Sequence, residues 1–404
     1  SISVYLYRLM KMSLPEHLGP DGDITQSIYE LVERARADDT LGDFARGRIL
    51  IHAGRVLADM DDSEAAMSAL TEGVELVGMP STERGRFLRS LAFYDIGYLH
   101  YENRRNDQAE QAYLRARESL AGLEGSQQAM IIAIDSSLAS VLEGRGDYMR
   151  ALELHSAMVE KAMEAELPPT QMGSQQLGLG YIMFRVGDRE AGLDLMRRGY
   201  EMSLVASEPY DAIPLGCQRA LGALLLEDFR YAEAAEVFED YGRNLAAGPG
   251  SETFSGRAAR VLALLARHQV SGGAGELAAF ERELDALRRD FPRRLEESFV
   301  PQHLIATDLV NDRPDAFDRA AEMLAELDRQ NVPGHAASAS QLFARASLRG
   351  GDPEVATTLL ADSLERHRAL LSEEAPLLAE FQALVERAES PLIAAAPQTP
   401  LGGS

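Results

Sequence analysis

The chain has 404 residues, 46% of them hydrophobic and 26% charged, so it carries enough apolar surface to bury a core and no composition-wide signature of disorder. Its 64 acidic against 40 basic side chains give a formal charge of -24, a sign that repels phosphate backbones and argues against nucleic acid as a direct partner. Cys217 is the only thiol, which excludes an intrachain disulfide framework and a cysteine-rich zinc module and points to a reducing compartment, the cytoplasm.

In chain order, Ile2 to Leu14 reads as a helix rather than a targeting segment, because Arg8 and Lys11 interrupt it and no small-residue cleavage site follows. No run approaches the roughly 20 consecutive apolar residues of a membrane span. Ile24 to Ala37 reads as an incoming helix, so residues 1–43 are expected to be N-terminal capping or incoming helices. The abrupt start at Ser1 and the Gly402-Gly403-Ser404 end are what a segment of a longer protein would show.

From 44 to 248 the chain repeats itself. The offsets of Gly97, Ala109, Tyr113 and Ala116 recur as Gly54, Ala66 and Leu70, as Ala139, Ala151 and His155, as Gly180, Gly192, Met196 and Gly199, and as Gly222, Ala234 and Phe238. The small residues Ala66, Ala109, Ala151, Gly192 and Ala234 follow at steps of 43, 42, 41 and 42. Each unit holds a helical apolar pattern, a turn signal such as Gly146-Asp147-Tyr148 or Gly187-Asp188-Arg189, and a second helical pattern. That is a helical hairpin. Small residues serve where its helices cross closely, and the large residue one turn later fills the groove against its neighbour. His155 takes that large position and is expected to be packing.

These residues resemble the tetratricopeptide repeat, with Gly or Ala in the middle of the first helix and Ala, an aromatic residue and Ala in the second. The chain departs from the pattern in lacking Trp and in a period longer than the usual 34. The resemblance implies an all-α fold, a right-handed superhelical solenoid of about eight antiparallel hairpins. The longer period is similar to the extended repeats of bacterial signalling and transcription regulators, in which the array senses a partner or ligand for an attached output domain.

Residues 249–389 read as degenerate repeats. Pairs are legible at Phe254 to Val270 with Glu276 to Asp290, at Glu296 to Val310 with Pro314 to Gln330, and at His335 to Arg349 with Pro353 to Leu371, followed by a capping helix from Glu374 to Ala388. Residues 390–404 are expected to be a flexible tail. The Gly248-Pro249-Gly250 break is expected to be where the array changes curvature or divides into two lobes.

Chemical signatures are missing. Neither Lys11 nor Lys161 follows a phosphate-cradling loop, and the Gly273-Ala274-Gly275 run follows a helix instead of a strand. The eight histidines are scattered singly, without the one-turn spacing of a zinc protease. Cys217 sits among apolar neighbours and reads as an inert structural thiol. Asp59, Asp61 and Asp62 lack calcium-loop spacing and read as helix caps. No catalytic or metal-binding residue and no cofactor is assigned, and a non-enzymatic role is expected.

The resemblance implies a concave groove lined by first helices, with positions three before, one after and four after the mid-helix Gly pointing into it. Those positions hold Tyr94, Tyr98 and Tyr101, with Tyr181 and Phe184 at equivalent offsets two hairpins on. Arg48, His52 and Arg55 of the first hairpin and Arg219 of the fifth add cations for an anionic group. Packing competes for the tyrosines, and pairing with Glu or Asp competes for the arginines. The Lys and Asn clamp of chaperone-binding tetratricopeptide domains is not present at the matching positions. The expected function is a protein- or peptide-binding scaffold or regulatory module. The alternative is a sensor of a small ligand or signalling peptide, with residues 248–250 as its hinge.

Overall fold

A computed structural model describes residues 24–388 except 39, 61, 124, 126, 165, 206, 210, 248–252, 297, 331, 351–352 and 372–374. The expected helix at Ile2 to Leu14, the tail at 390–404, the hinge at 248–250 and Asp61 lie outside the described residues.

Among the described residues the chain forms nineteen helices and no strand. The incoming helix α1 (Ile24–Ala37) leads to hairpins α2 (Asp43–Asp59) with α3 (Ser63–Val77), α4 (Glu83–Glu102) with α5 (Asn106–Ser119), α6 (Gln128–Gly144) with α7 (Tyr148–Glu164), and α8 (Pro169–Val186) with α9 (Arg189–Ser203). Next come α10 (Ala212–Glu227) with α11 (Tyr231–Ala247) and α12 (Phe254–Ser271) with α13 (Ala274–Asp290). A short α14 (Pro292–Glu296) precedes α15 (Val300–Val310) with α16 (Ala316–Arg329) and α17 (Pro333–Gly350) with α18 (Pro353–Leu370), and α19 (Pro376–Ala388) ends the series. Eight hairpins are thus described, as the repeat implied.

The helices cross where the sequence placed its small residues. A Cβ on Gly97 of α4 would lie 2.7 Å from the Tyr113 ring of α5, and one on Gly180 of α8 would lie 2.6 Å from the Gly192 carbonyl oxygen of α9. Ala109, Ala116 and Tyr113 are buried between the paired helices. Local signals set the ends: Asp62 caps α3 by accepting from the Ala65 amide at 3.1 Å, and Thr82 caps α4 by accepting from the Gly85 amide at 3.1 Å. Gly273 is the N-cap of α13, so the glycine run there is a hairpin turn. His155 is buried, and its Nε2 lies 2.8 Å from Oε1 of Glu143.

The chain divides into two compact units, residues 1–141 and 142–404, with the boundary inside α6. The expected division at 248–250 is not where the units part. α11 packs on α12 across that segment, and one core runs from Phe238 and Tyr241 into Ala258, Val261 and Leu262. Burial of apolar area on both sides outweighs the local glycine and proline signal.

The second unit also closes on itself, which a repeat contacting only its neighbours does not imply. The Tyr148 hydroxyl donates to the Gly334 carbonyl at 2.6 Å, Arg189 donates to Glu380 at 2.7 Å, and Arg345 donates to the Glu227 carbonyl at 3.1 Å and to Asp228 at 2.9 Å. Leu370 and Leu377 lie against Gly146 and Gly187. α17, α18 and α19 therefore return to the turns that follow α6, α8 and α10.

Candidate functional site

In the first unit, Arg48, His52 and Arg55 stand at i, i+4 and i+7 of α2 and share one face. Arg48 is exposed, His52 half-buried, and Arg55 is drawn in by an ion pair from its Nε to Asp95 of α4. Burial pushes the Asp95 carboxyl up to about 6, against the pull of the Arg55 charge and with a further push from Asp59. Burial also lowers the pKa of His52, and the guanidinium groups of Arg55, Arg48 and Arg84 lower it further. Arg84, in the first turn of α4, is exposed. Neither Arg48 nor Arg84 has an ion pair or hydrogen bond with any described residue.

The tyrosine stripe on α4 is mixed. Tyr94 is half-buried, its ring centroid 5.6 Å from that of Tyr113, and its hydroxyl accepts from Ser137 at 3.3 Å. Tyr101 is half-buried, and Tyr98 is 48% exposed. Tyr98 follows Asp95 by three residues, so it stands one turn from the Arg55–Asp95 pair on the same face. Arg48, His52, Arg55, Tyr94, Tyr98 and Tyr101 all belong to the first unit.

The other three expected residues belong to the second unit. Arg219 is exposed on α10. Tyr181 is half-buried beneath the Arg185 guanidinium, which lies 4.8 Å from its ring centroid. Phe184 is a correction: it is 1% exposed, packed into the core with Leu193, Met196 and Leu221, and presents nothing to a partner. The close crossing of α8 and α9 turns that position inward.

Two features escaped the sequence reading. Asp95, which pairs with Arg55, and the exposed Arg84 add polar groups to α4, and Asp95 stands one 43-residue step after His52, which is the signal that could have found it. The second is a buried polar centre in the second unit. Arg185 donates twice to Glu227, Nη2 to Oε1 at 2.9 Å, with both side chains almost fully buried. Glu227 stands 42 residues after Arg185, one repeat on, so the pair links neighbouring first helices. His303 is buried within reach of the same charges and burial pushes its imidazole down to about 4; its Nε2 has no partner. Gln341 is 3% exposed with both amide atoms unpartnered.

Burial pushes the Cys217 thiol up to about 11, which keeps it protonated and inert at neutral pH. Among the described residues, no three His, Cys, Asp or Glu side chains cluster to hold a metal ion, and no helix is long and apolar enough to cross a membrane. Exposed cations at Arg48 and Arg84 and the exposed ring of Tyr98 thus lie on two adjacent helices of the first unit.

No protein-family model and no curated protein matches the sequence. Solved structures do match in fold. A Rap protein complexed with Competence and Sporulation Factor aligns at 13% identity over 92% of this chain and 97% of its own, with a TM-score of 0.52. The Rap conjugation gene regulator of the plasmid pLS20, in complex with the Phr* peptide, aligns at 10% identity over 91% and 96%, with a TM-score of 0.54. The apo form of RapI aligns at 12% identity over 75% and 97%, with a TM-score of 0.51. The chain has the fold of a tetratricopeptide-type helical-repeat protein.

Proposed function

We propose that the protein is a non-enzymatic regulatory module that binds a peptide along α2 and α4 of its first unit. The observation that carries this reading is the exposed ring of Tyr98, one turn from the Arg55–Asp95 pair, on the helices that the repeat assigns to the groove. A tyrosine with one apolar face and a polar tip is a common anchor of interfaces, and a fixed pair of helices keeps the ordering cost low. Two of the structural neighbours hold a peptide or factor, which supports the choice of a peptide over a folded partner. Selection from a random peptide-display library on the intact protein, followed by calorimetry, tests it. Tyr98→Ala is expected to weaken the selected peptides about tenfold or more. Equal affinity in the variant would remove the α4 face from consideration.

A second reading, a small-ligand sensor acting on an attached output domain, draws on Gln341 and His303, whose open hydrogen-bonding atoms are enclosed in the second unit. A metabolite thermal-shift screen decides it, with Gln341→Leu expected to abolish any hit.

A further inference from the structure

Within the second unit, α17 is held by groups that stand between 117 and 190 residues earlier in the chain. At its start the Tyr148 hydroxyl donates to the Gly334 carbonyl at 2.6 Å and lies 3.0 Å from the Ser338 hydroxyl. Near its end Arg345 donates to the Glu227 carbonyl at 3.1 Å and to Asp228 at 2.9 Å. Gly334, Ser338, Gln341 and Arg345 follow at steps of four, three and four residues, so they share one face of the helix. The run from Gly334 to Arg345 spans about 16 Å, close to two interhelical steps of about 8–10 Å each. It therefore reaches from the turn after α6 to the end of α10, with α8 between them in the series. Gln341, between the two anchors, faces the end of α8, where Arg185 donates to Glu227 at 2.9 Å.

This interface is incompletely satisfied. Gln341 is 3% exposed, yet neither of its amide atoms has a partner among the described residues, and the buried Nε of Arg185 has none either. Enclosing such groups without partners opposes the packing of α17. Among the residues that α17 buries, only Leu342 and Phe343 are large and apolar, so the hydrophobic hold on it is modest. Tyr181 stands in α8 where Tyr98 stands in α4, one residue after the mid-helix glycine, but it is half-buried beneath Arg185 where Tyr98 is exposed.

We propose that α17 is a releasable strap, seated on the ends of α6, α8 and α10 in place of a partner helix that presents a small residue, a hydroxyl, a carboxamide and a guanidinium at the same four positions. The contacts at Tyr148 and Arg345 close the strap. The open atoms of Gln341 and Arg185 lower the cost of lifting it, since water or the partner satisfies them once α17 leaves. The strap concerns the second unit alone and stands whether or not a peptide binds along α2 and α4.

The test uses the full chain. Gln341→Cys places a thiol in the middle of the strap, and the buried Cys217 of α10 is a reference in the same molecule. Iodoacetamide labelling of the folded protein, read by mass spectrometry at both sites, is expected to modify position 341 at least about tenfold faster than Cys217. Adding Tyr148→Phe/Arg345→Gln is expected to speed labelling at 341 by about tenfold more and to leave Cys217 unchanged, because both anchors lose hydrogen bonds. Equal rates at the two thiols, in either chain, mean that α17 lifts only when the unit unfolds, and they overturn the strap.

A second arm keeps Gln341 in place. Ser338→Ala/Arg345→Gln weakens the strap from its own side and preserves Tyr148, Glu227 and Asp228. A fluorescent peptide of residues 333–350 is expected to bind this variant about tenfold or more tightly than it binds the parent, and a peptide carrying the same two substitutions is expected to bind neither. Binding that does not distinguish the two chains, or the two peptides, overturns the partner face. Neither arm alters Tyr98, so failure of the strap leaves the peptide reading of the first unit intact.

Discussion

Asp95, half-buried, and Glu227, buried, each sit beside an arginine, yet their consequences differ. The Asp95 carboxyl titrates at about 6 in the folded chain against 3.8 when unfolded, because burial penalises its charge more than Arg55 restores it. The folded chain therefore binds a proton that the unfolded chain has released, so this contribution to stability is complete below pH 3.8 and is lost as pH rises through 6. The loss amounts to about 3 kcal/mol at most. Asp95→Asn cannot ionise and is expected to match the parent near pH 4 and to exceed its urea midpoint at pH 7.5. A parent-minus-variant difference that stays flat across that range would show that burial does not govern the group. Glu227 instead neutralises Arg185 through two hydrogen bonds. Glu227→Gln leaves a buried guanidinium uncompensated and is expected to cost about 3–5 kcal/mol, whereas Arg185→Leu/Glu227→Leu costs much less. Denaturant titration of the single variant and the double variant measures this directly.

At the level of the helices, the crossings set stability. A methyl group on Gly180 would meet the backbone of Gly192 at 2.6 Å and the Met196 side chain at 2.7 Å, and backbone cannot swing aside. Gly180→Ala is expected to cost about 1–3 kcal/mol. Gly216 in the first half of α10 has nothing within 4 Å of its added Cβ, so Gly216→Ala gains about 0.5–1 kcal/mol by restricting the unfolded chain. Thermal melts that rank the two variants the other way would refute the crossing geometry. These positions were legible in the sequence because a crossing demands a small residue at a fixed place in every repeat. The inward turn of Phe184 was not legible, since its offset matches that of an exposed tyrosine and only the packing of α8 on α9 separates core from surface. The Arg55–Asp95 and Arg185–Glu227 pairs lie 40 and 42 residues apart, close to one period, and could have been sought on that spacing. The return of α17 to Tyr148, 186 residues away, follows no period and leaves no mark in a single sequence.

Taken over the whole chain, the titration shifts that bear on acidification differ between the units: Asp95 of the first is raised, where His52 and His100 are lowered, while in the second two buried histidines are lowered. His303 on α15 and His367 on α18 are both held neutral by burial, at about 4 instead of 6.5. The charges near His303 are Glu227 and Arg185, and those near His367 are Arg185, Asp362 and Arg189. A base whose folded pKa is depressed contributes stability that is present above 6.5 and is lost as pH falls through 4, roughly 3 kcal/mol for each imidazole. Asp95 in the first unit moves the other way over much of the same window. Acidification from pH 7 to 4.5 is therefore expected to loosen the second unit, where α15, α17 and α18 meet the helices that carry Arg185 and Glu227, while in the first unit the gain at Asp95 offsets the losses at His52 and His100. Hydrogen exchange by mass spectrometry, corrected for the intrinsic pH dependence of exchange, resolves the units separately. Peptides from α8, α10, α15 and α17 should lose protection at pH 4.5, peptides from α2 and α4 should not, and His303→Gln/His367→Gln should flatten the response of the second unit alone. If both units lose protection together in the parent and in that variant, the buried neutral histidines are not what ties the second unit closed.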